Sequence, residues 1–291
     1  MAGNLRQIQL QGKSIKNIQK LTNSMKMVAA TRFKQAERLL IVARPLGLGA
    51  RKFYDLVSQE FHSKTKLHYL VPFTSDRGLC GSCHYKTCKA TSTKLDDKIH
   101  DYRIVCIGEK AKLIIGFKMS TFIELVVNGV GHRTPTFKSA SDIANRILRL
   151  DGFHEGTLIY AHFVTAMSYE IRQIKVYSAD LLREMAFVTK YEADNSDDID
   201  NYMEFSLAAL VFYAMTECYG VELFSRMNAM AAASKNAGTL HAKLNRDFNR
   251  ARQNLITRDL IDIVSGASVV AVKKKTRPKP FVPPQEGKSD S

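Results

Sequence analysis

Proline is missing from two long stretches of this sequence, residues 3–43 and 201–265. Nothing in either stretch obliges a helix to stop, since proline is the residue that removes a helical hydrogen bond and clashes with the preceding turn. No run of about 18 apolar residues stands out, so no membrane-spanning helix is expected. The start, Met1-Ala2-Gly3-Asn4-Leu5-Arg6, lacks the apolar stretch of a secretory signal, and an organellar presequence would have been removed already. Cysteines number five, too few and too unevenly spaced for a secreted disulfide framework. Cys80, Cys83, Cys88 and Cys106 crowd into one stretch and Cys218 stands apart, which fits a reducing compartment. The three-glycine dinucleotide pattern is absent, as is the phosphate-loop Lys-Ser/Thr pair. No Ser/His/Asp or paired-carboxylate arrangement stands out. A nucleotide site and a hydrolytic centre are therefore not expected, and no cofactor is predicted.

The net charge is +15 and it is unevenly held. Residues 1–66 carry 13 Lys/Arg against 3 Asp/Glu, whereas 67–198 carry 17 against 16 and 199–272 carry 7 against 7. The tail 273–291 carries 6 against 2. A basic amino-terminal element with a basic tail predicts an electrostatic partner along one element. Lys13, Lys16, Lys20, Lys26, Arg32, Lys34 and Arg38 run along that element. Three readings fit them: a basic coiled coil that binds nucleic acid, a solvated face, or a cationic shaft inside a ring of partners.

Within 3–43, small or apolar residues recur at Ile8, Ile15, Ile18, Met25, Ala29, Ala36 and Ala43 in heptad phase. The alanines make the seam narrow enough for a close partner helix. Pro45-Leu46-Gly47-Leu48-Gly49 is expected to interrupt this helix, with helical character resuming to about Phe61. From Leu67 the texture changes to short apolar runs (67–71, 103–107, 122–127, 157–164 and 171–177) alternating with helical stretches such as Lys138–Leu150. That alternation predicts an open α/β sheet of about five strands with helices on both sides. An acidic linker covers 192–200. Beyond it Ala237, Leu240, Leu244, Phe248, Ala251 and Leu255 again step at coiled-coil spacing. A single helix over 201–265 would span on the order of 100 Å. The predicted fold class is thus α/β plus a long antiparallel coiled coil. Its parts are an amino-terminal helix at 1–62, a central Rossmann-like domain at 67–190, a carboxyl-terminal helix at 201–272 and a disordered basic tail at 273–291. Burial of both seams requires the termini to pair, Ile18–Ala29 against Leu240–Leu255.

Cys80-Gly81-Ser82-Cys83 after a strand is formally a CxxC pair. It can be read as a redox pair, or with His84 and Cys88 as zinc ligands. The absence of a second CxxC or a His-x₃₋₅-His favours a third reading, an ordinary Cys80 with incidental neighbours. Gly78 and Gly81 are read as turn residues.

The run Ile15-Lys16-Asn17-Ile18-Gln19-Lys20-Leu21-Thr22-Asn23-Ser24-Met25-Lys26-Met27-Val28-Ala29-Ala30 resembles the gamma-subunit family of rotary ATP synthases. So do Asp76-Arg77-Gly78-Leu79-Cys80-Gly81, Ser225-Arg226-Met227-Asn228-Ala229-Met230, and Phe248-Asn249-Arg250-Ala251-Arg252-Gln253-Asn254-Leu255 with the following Leu260 to Ala267. The resemblance covers about residues 3–270 and is closer to the mitochondrial branch. It implies a non-catalytic rotor subunit of the central stalk, peripheral on the matrix side of the mitochondrial inner membrane or, as the alternative, on the cytoplasmic side of a bacterial inner membrane. The implied partners are the alpha and beta subunits of the catalytic head, the delta and epsilon stalk subunits and the membrane c-ring, with no nucleic acid. It also implies that Met25, Lys26, Arg226, Arg252 and Gln253 contact the head, and that Ala267, Val269, Val270 and Val272 form a low-friction collar. Cys83, Cys88 and the residues after Ala267 depart from the family pattern. The remaining alternatives are a nucleic-acid-binding coiled coil and a thiol oxidoreductase using Cys80 and Cys83.

Overall fold

The computed structural model describes residues 2–60, 67–95, 101–165, 168–183 and 196–275. In chain order the elements are α1 (Ala2–Glu60), β1 (Leu67–Pro72), α2 (Cys83–Leu95), β2 (Asp101–Ile107), α3 (Glu109–Met119), β3 (Ile123–Val127), α4 (Phe137–Leu148), β4 (Glu155–Thr165), β5 (Ser168–Tyr177), α5 (Ala179–Arg183) and α6 (Ser196–Lys275). Residues 61–66 and 184–195, next to the expected boundaries at 62–67 and 190–201, lie outside the described residues, as does the tail beyond Lys275. Helix α6 starts at Ser196 and ends at Lys275, so 196–200 of the expected linker and 273–275 of the expected tail are helical instead.

The chain divides into two compact units, one made of 1–19 and 235–291, the other of 20–234. Helices α1 and α6 contribute to both. The second unit contains the sheet, of order β3-β2-β1-β4-β5. Strands β1 to β4 are parallel and β5 returns antiparallel along β4. Alternation along β2 shows that both faces are covered. Val105 and Ile107 join the core formed with α1, α4 and α6, while Ile104 and Cys106 join a second core with α2 and α3. Thr136 starts α4 with a capping box, accepting from the Ser139 N–H at 3.3 Å.

The Pro45 region does not break α1, contrary to expectation. The reason lies in which face is buried. Thr22, Ala29, Ala36, Ala43, Ala50 and Val57 recur every seven residues, and Phe33, Leu40, Gly47 and Tyr54 form the companion row. Pro45 falls on the exposed side of this seam. Burial of the seam therefore outweighs the roughly 3 kcal/mol that an internal proline costs. Gly47 is needed because a Cβ there would lie 2.3 Å from Cγ of Tyr213. Ile18, expected in the seam, is 51 % exposed and sits one position off the phase.

In the second unit, α1 and α6 run antiparallel. Tyr54 bonds Ser206 at 3.1 Å, Tyr213 fits against Gly47, Leu40 against Gly220, and Phe33 against Phe224. In the first unit Gln19 lies against Gly238. In the second unit the pairing is antiparallel as expected, and of the expected contact between Ile18–Ala29 and Leu240–Leu255 the first unit shows Gln19 beside Gly238. The least exposed positions of α6 there are Ala237, His241, Leu244, Phe248, Ala251 and Leu255, so His241 replaces the exposed Leu240 in the seam. The window of α6 that would be apolar enough to cross a membrane is 94 % buried in the protein, so its hydropathy is that of a core helix.

Candidate functional site

The most apolar part of α6 carries two glutamates, Glu217 and Glu222, both buried. A buried carboxylate requires partners, and each has them. Glu217 accepts from Arg44 Nε at 2.7 Å and Nη2 at 3.2 Å, from the Phe163 N–H at 2.9 Å, and lies 3.3 Å from His162 Nδ1. Arg44 Nη2 also donates to the Phe163 carbonyl at 2.6 Å. One fork-shaped guanidinium on α1 thus joins α6 to the end of β4. Burial alone would raise the Glu217 carboxyl, but His162, Arg44 and the Phe163 N–H together hold it below the ordinary glutamate range. The same pair raises Arg44, against the cost of its partial burial.

The second glutamate organises the loop after β1. Arg226, four residues along α6, pairs with Glu222 and donates to the Gly78 carbonyl from Nη2 at 3.1 Å. Burial pushes Glu222 up despite Arg226. Within the loop, Asp76 accepts from the N–H groups of Glu109 and Gly129, each at 2.7 Å. Gly108 has φ of 90° and lies so near Thr74 that a Cβ would come within 2.7 Å of its carbonyl carbon. Leu79 and Gly81 also take positive φ. This tight turn ends at the start of α2, where Cys80, Cys83 and His84 come together with ligand atoms within 4.8 Å of one another. The Cys83 hydrogen bond lowers the Cys80 thiol to about 5 against burial, with His84 and Arg226 helping, and Cys83 is pushed upward. Cys88 does not join them. It packs with Cys106 in the core beneath α3, and burial raises both thiols to about 12.

Of the residues expected to contact partners, Lys26, Arg252, Gln253 and Ala267 are exposed and Met25 is half-buried. Val269, Val270 and Val272 fall in α6, in the part whose side chains are outside the described set. Arg226 is corrected. It is 6 % exposed and its guanidinium is committed to Glu222 and Gly78, so it braces the loop from inside. Arg44, Glu217 and Glu222 escaped the sequence reading, though two acidic residues inside an apolar helical run were a usable signal. Exposed apolar side chains are frequent on both long helices. In the second unit they include Met27, Val28, Ile41 and Val42, and in the first Ile256, Leu260, Ile261, Ile263 and Val264. Such surface marks a covered face.

A family model described as ATP synthase matches residues 4–270, which places the chain among the proteins of that complex. Curated relatives narrow the assignment. The mitochondrial ATP synthase subunit gamma of Drosophila melanogaster is 40 % identical over 268 residues, 91 % of this chain and 90 % of that one. The F(1) complex subunit gamma of Rattus norvegicus is 38 % identical, over 89 % and 96 %. Among solved structures, a chain of the Tetrahymena thermophila mitochondrial ATP synthase central stalk and c-ring superposes with a TM-score of 0.64 at 26 % identity, covering 74 % of this chain and 99 % of that one. A Euglena gracilis mitochondrial ATP synthase chain shares the fold over 97 % of this chain and 99 % of that one, at TM-score 0.79 and 17 % identity. The chain belongs to the gamma-subunit family of the mitochondrial ATP synthase central stalk. The nucleic-acid and oxidoreductase alternatives gain nothing from these comparisons.

Proposed function

We propose that this chain turns as the rotor of an ATP synthase at the matrix face of the mitochondrial inner membrane, and that it holds no catalytic site itself. In this reading the alpha and beta subunits enclose its long helices. The delta and epsilon subunits and the c-ring meet its central domain. An asymmetric shaft presents a different face to each catalytic subunit, so each turn biases every site through different conformations.

The observation that carries the reading is the Arg44–Glu217–Phe163 lock. Torque applied to a sheet domain reaches a helix pair only if the two resist slipping. Here one buried charged network crosses α1, α6 and β4. The exposed apolar rows on the helices supply surface for an enclosing sleeve, and the positive excess over residues 1–66 supplies electrostatic attraction to it. Met25, Lys26, Arg252 and Gln253 are the proposed catches on the head, and Ala267, Val269, Val270 and Val272 the collar. The test is a reconstituted complex with a visible probe fixed to the central domain. ATP should drive the probe round in one direction. Hydrolysis at full rate with a stationary probe would overturn the proposal.

A further inference from the structure

The β1–β4 boundary is where the strand order reverses, since successive connections leave β1 first toward β2 and β3 and then return to β4. The crevice beyond the carboxyl ends of strands at such a switch point is where open α/β sheets hold ligands. In this chain that crevice is closed over by α6, and no nucleotide-binding glycine set lines it. It holds instead the Cys80, Cys83 and His84 side chains, together with a cavity of about 20 Å³ bordered by Cys83, His84, Ser75 and Glu222.

We propose that Cys80, Cys83 and His84 bind one zinc ion, with a water from the adjoining cavity in the fourth position. The donor set is two sulfurs and an imidazole nitrogen, which suits a borderline-soft d¹⁰ cation. At metal–sulfur and metal–nitrogen distances of about 2.3 and 2.0 Å, tetrahedral ligand atoms sit roughly 3.5–4 Å apart. The three atoms already lie within 4.8 Å of one another, so side-chain closure of about 1 Å completes the set. The backbone positions them without further ordering, because the turn through Leu79 and Gly81 is fixed by Asp76 and by Arg226 on Gly78.

The surroundings suit an ion. His84 Nε2 lies 3.1 Å from the Arg77 carbonyl and 3.2 Å from Ser75 Oγ, polar partners that orient the ring beside the two sulfurs. The cavity is large enough for about one water, and Ser75 and Glu222 give it polar partners. Binding replaces each S–H bond still present with an S–Zn bond and releases that proton to solvent, so both sulfurs ligate as thiolates. Two thiolates then cancel the dication, so the site adds no net charge beside the buried Glu222–Arg226 pair.

The full-length chain, reduced and stripped with chelator, is dialysed against zinc alone and analysed for bound metal. Cobalt substitution supplies a second readout through thiolate-to-cobalt charge-transfer absorption. The expected result is one zinc per wild-type chain and a tetrahedral cobalt spectrum with sulfur bands. Cys83→Ala should lose both, while Cys88→Ser, whose thiol packs with Cys106, should keep both. Wild-type chain that retains no zinc, or shows cobalt without sulfur bands, overturns the proposal. So does equal retention by Cys83→Ala, or a Cys80–Cys83 disulfide that persists under reducing conditions.

Discussion

Replacing Glu217 by alanine tests the lock most directly. The carboxylate is fully enclosed and accepts from Arg44 at two nitrogens and from the Phe163 N–H. Its removal strands the Phe163 N–H at a cost of about 1–3 kcal/mol. It also leaves a guanidinium without its counterion. Breaking a buried pair from one side costs roughly 3–5 kcal/mol, but Arg44 keeps 35 % of its side chain in contact with solvent and recovers part of that by hydration. We expect Glu217→Ala to destabilise the chain by about 3 kcal/mol, and Glu217→Gln, which keeps the shape and one acceptor, by about half as much. Urea midpoints at constant slope give the stability change, and a cycle with Arg44→Met isolates the pair. The folded-state carboxyl is depressed. Its contribution is therefore present above the ordinary glutamate range and lost as pH falls through the lower folded value, so wild type and Glu217→Gln should converge in acid. In the reconstituted complex, Glu217→Ala should lower the torque borne before slipping more than it lowers unloaded hydrolysis. A loss below about 1 kcal/mol, or a coupling near zero in the cycle, would refute the assignment of the pair as the joint between helices and sheet.

Gly47→Ala and Gly220→Ala should differ sharply although both sit in the same helix pair. At Gly47 the new methyl meets Cβ and Cγ of Tyr213 at 2.4 and 2.3 Å, atoms that cannot move without the helix, and a loss of at least about 2 kcal/mol is expected in thermal melts. At Gly220 it meets the flexible Leu40 side chain, Cδ1 at 3.0 Å and Cγ at 3.8 Å, and the gain in helix propensity should leave the melting temperature within a few degrees of wild type. Asp76→Ala removes two acceptors at 2.7 Å and should cost about 2 kcal/mol, with amide exchange at Glu109 and Gly129 accelerating first. Arg252 is exposed, so Arg252→Ala should leave the melting curve unchanged while lowering ATP synthesis by the complex, and Arg252→Lys should not restore it. Unchanged synthesis in the alanine variant would remove Arg252 from the proposed catches.

Period and punctuation along the chain made much of this molecule legible. Five apolar runs became five strands in one sheet, because alternation and length distinguish strand from helix locally. Two proline-poor segments became α1 and α6 for an equally local reason. The phase of their seams was less legible. Ile18 and Leu240 are as apolar as their neighbours, and only the facing helix decides that Gln19 and His241 lie nearer the contact. Pro45 misled for a related reason: its penalty is local, whereas the seam that overrides it needs Tyr213 and Leu40 packed from the other helix and the other row.

The chain's own sequence determined its elements, its charge asymmetry and its family, since each is carried by residue type and spacing along one strand of information. Partner choice was decided by tertiary structure alone. Arg226 and Arg252 are the same side chain on the same helix, yet the loop after β1 encloses one and leaves the other in solvent. Cys83 and Cys88 lie five positions apart, and the helix turns one toward Cys80 and His84 and the other toward Cys106. Arg44 and Glu217 meet across 173 residues of chain. Hydrogen bonds and ion pairs act over a few ångströms, so whether two such groups meet depends on the folding of everything between them.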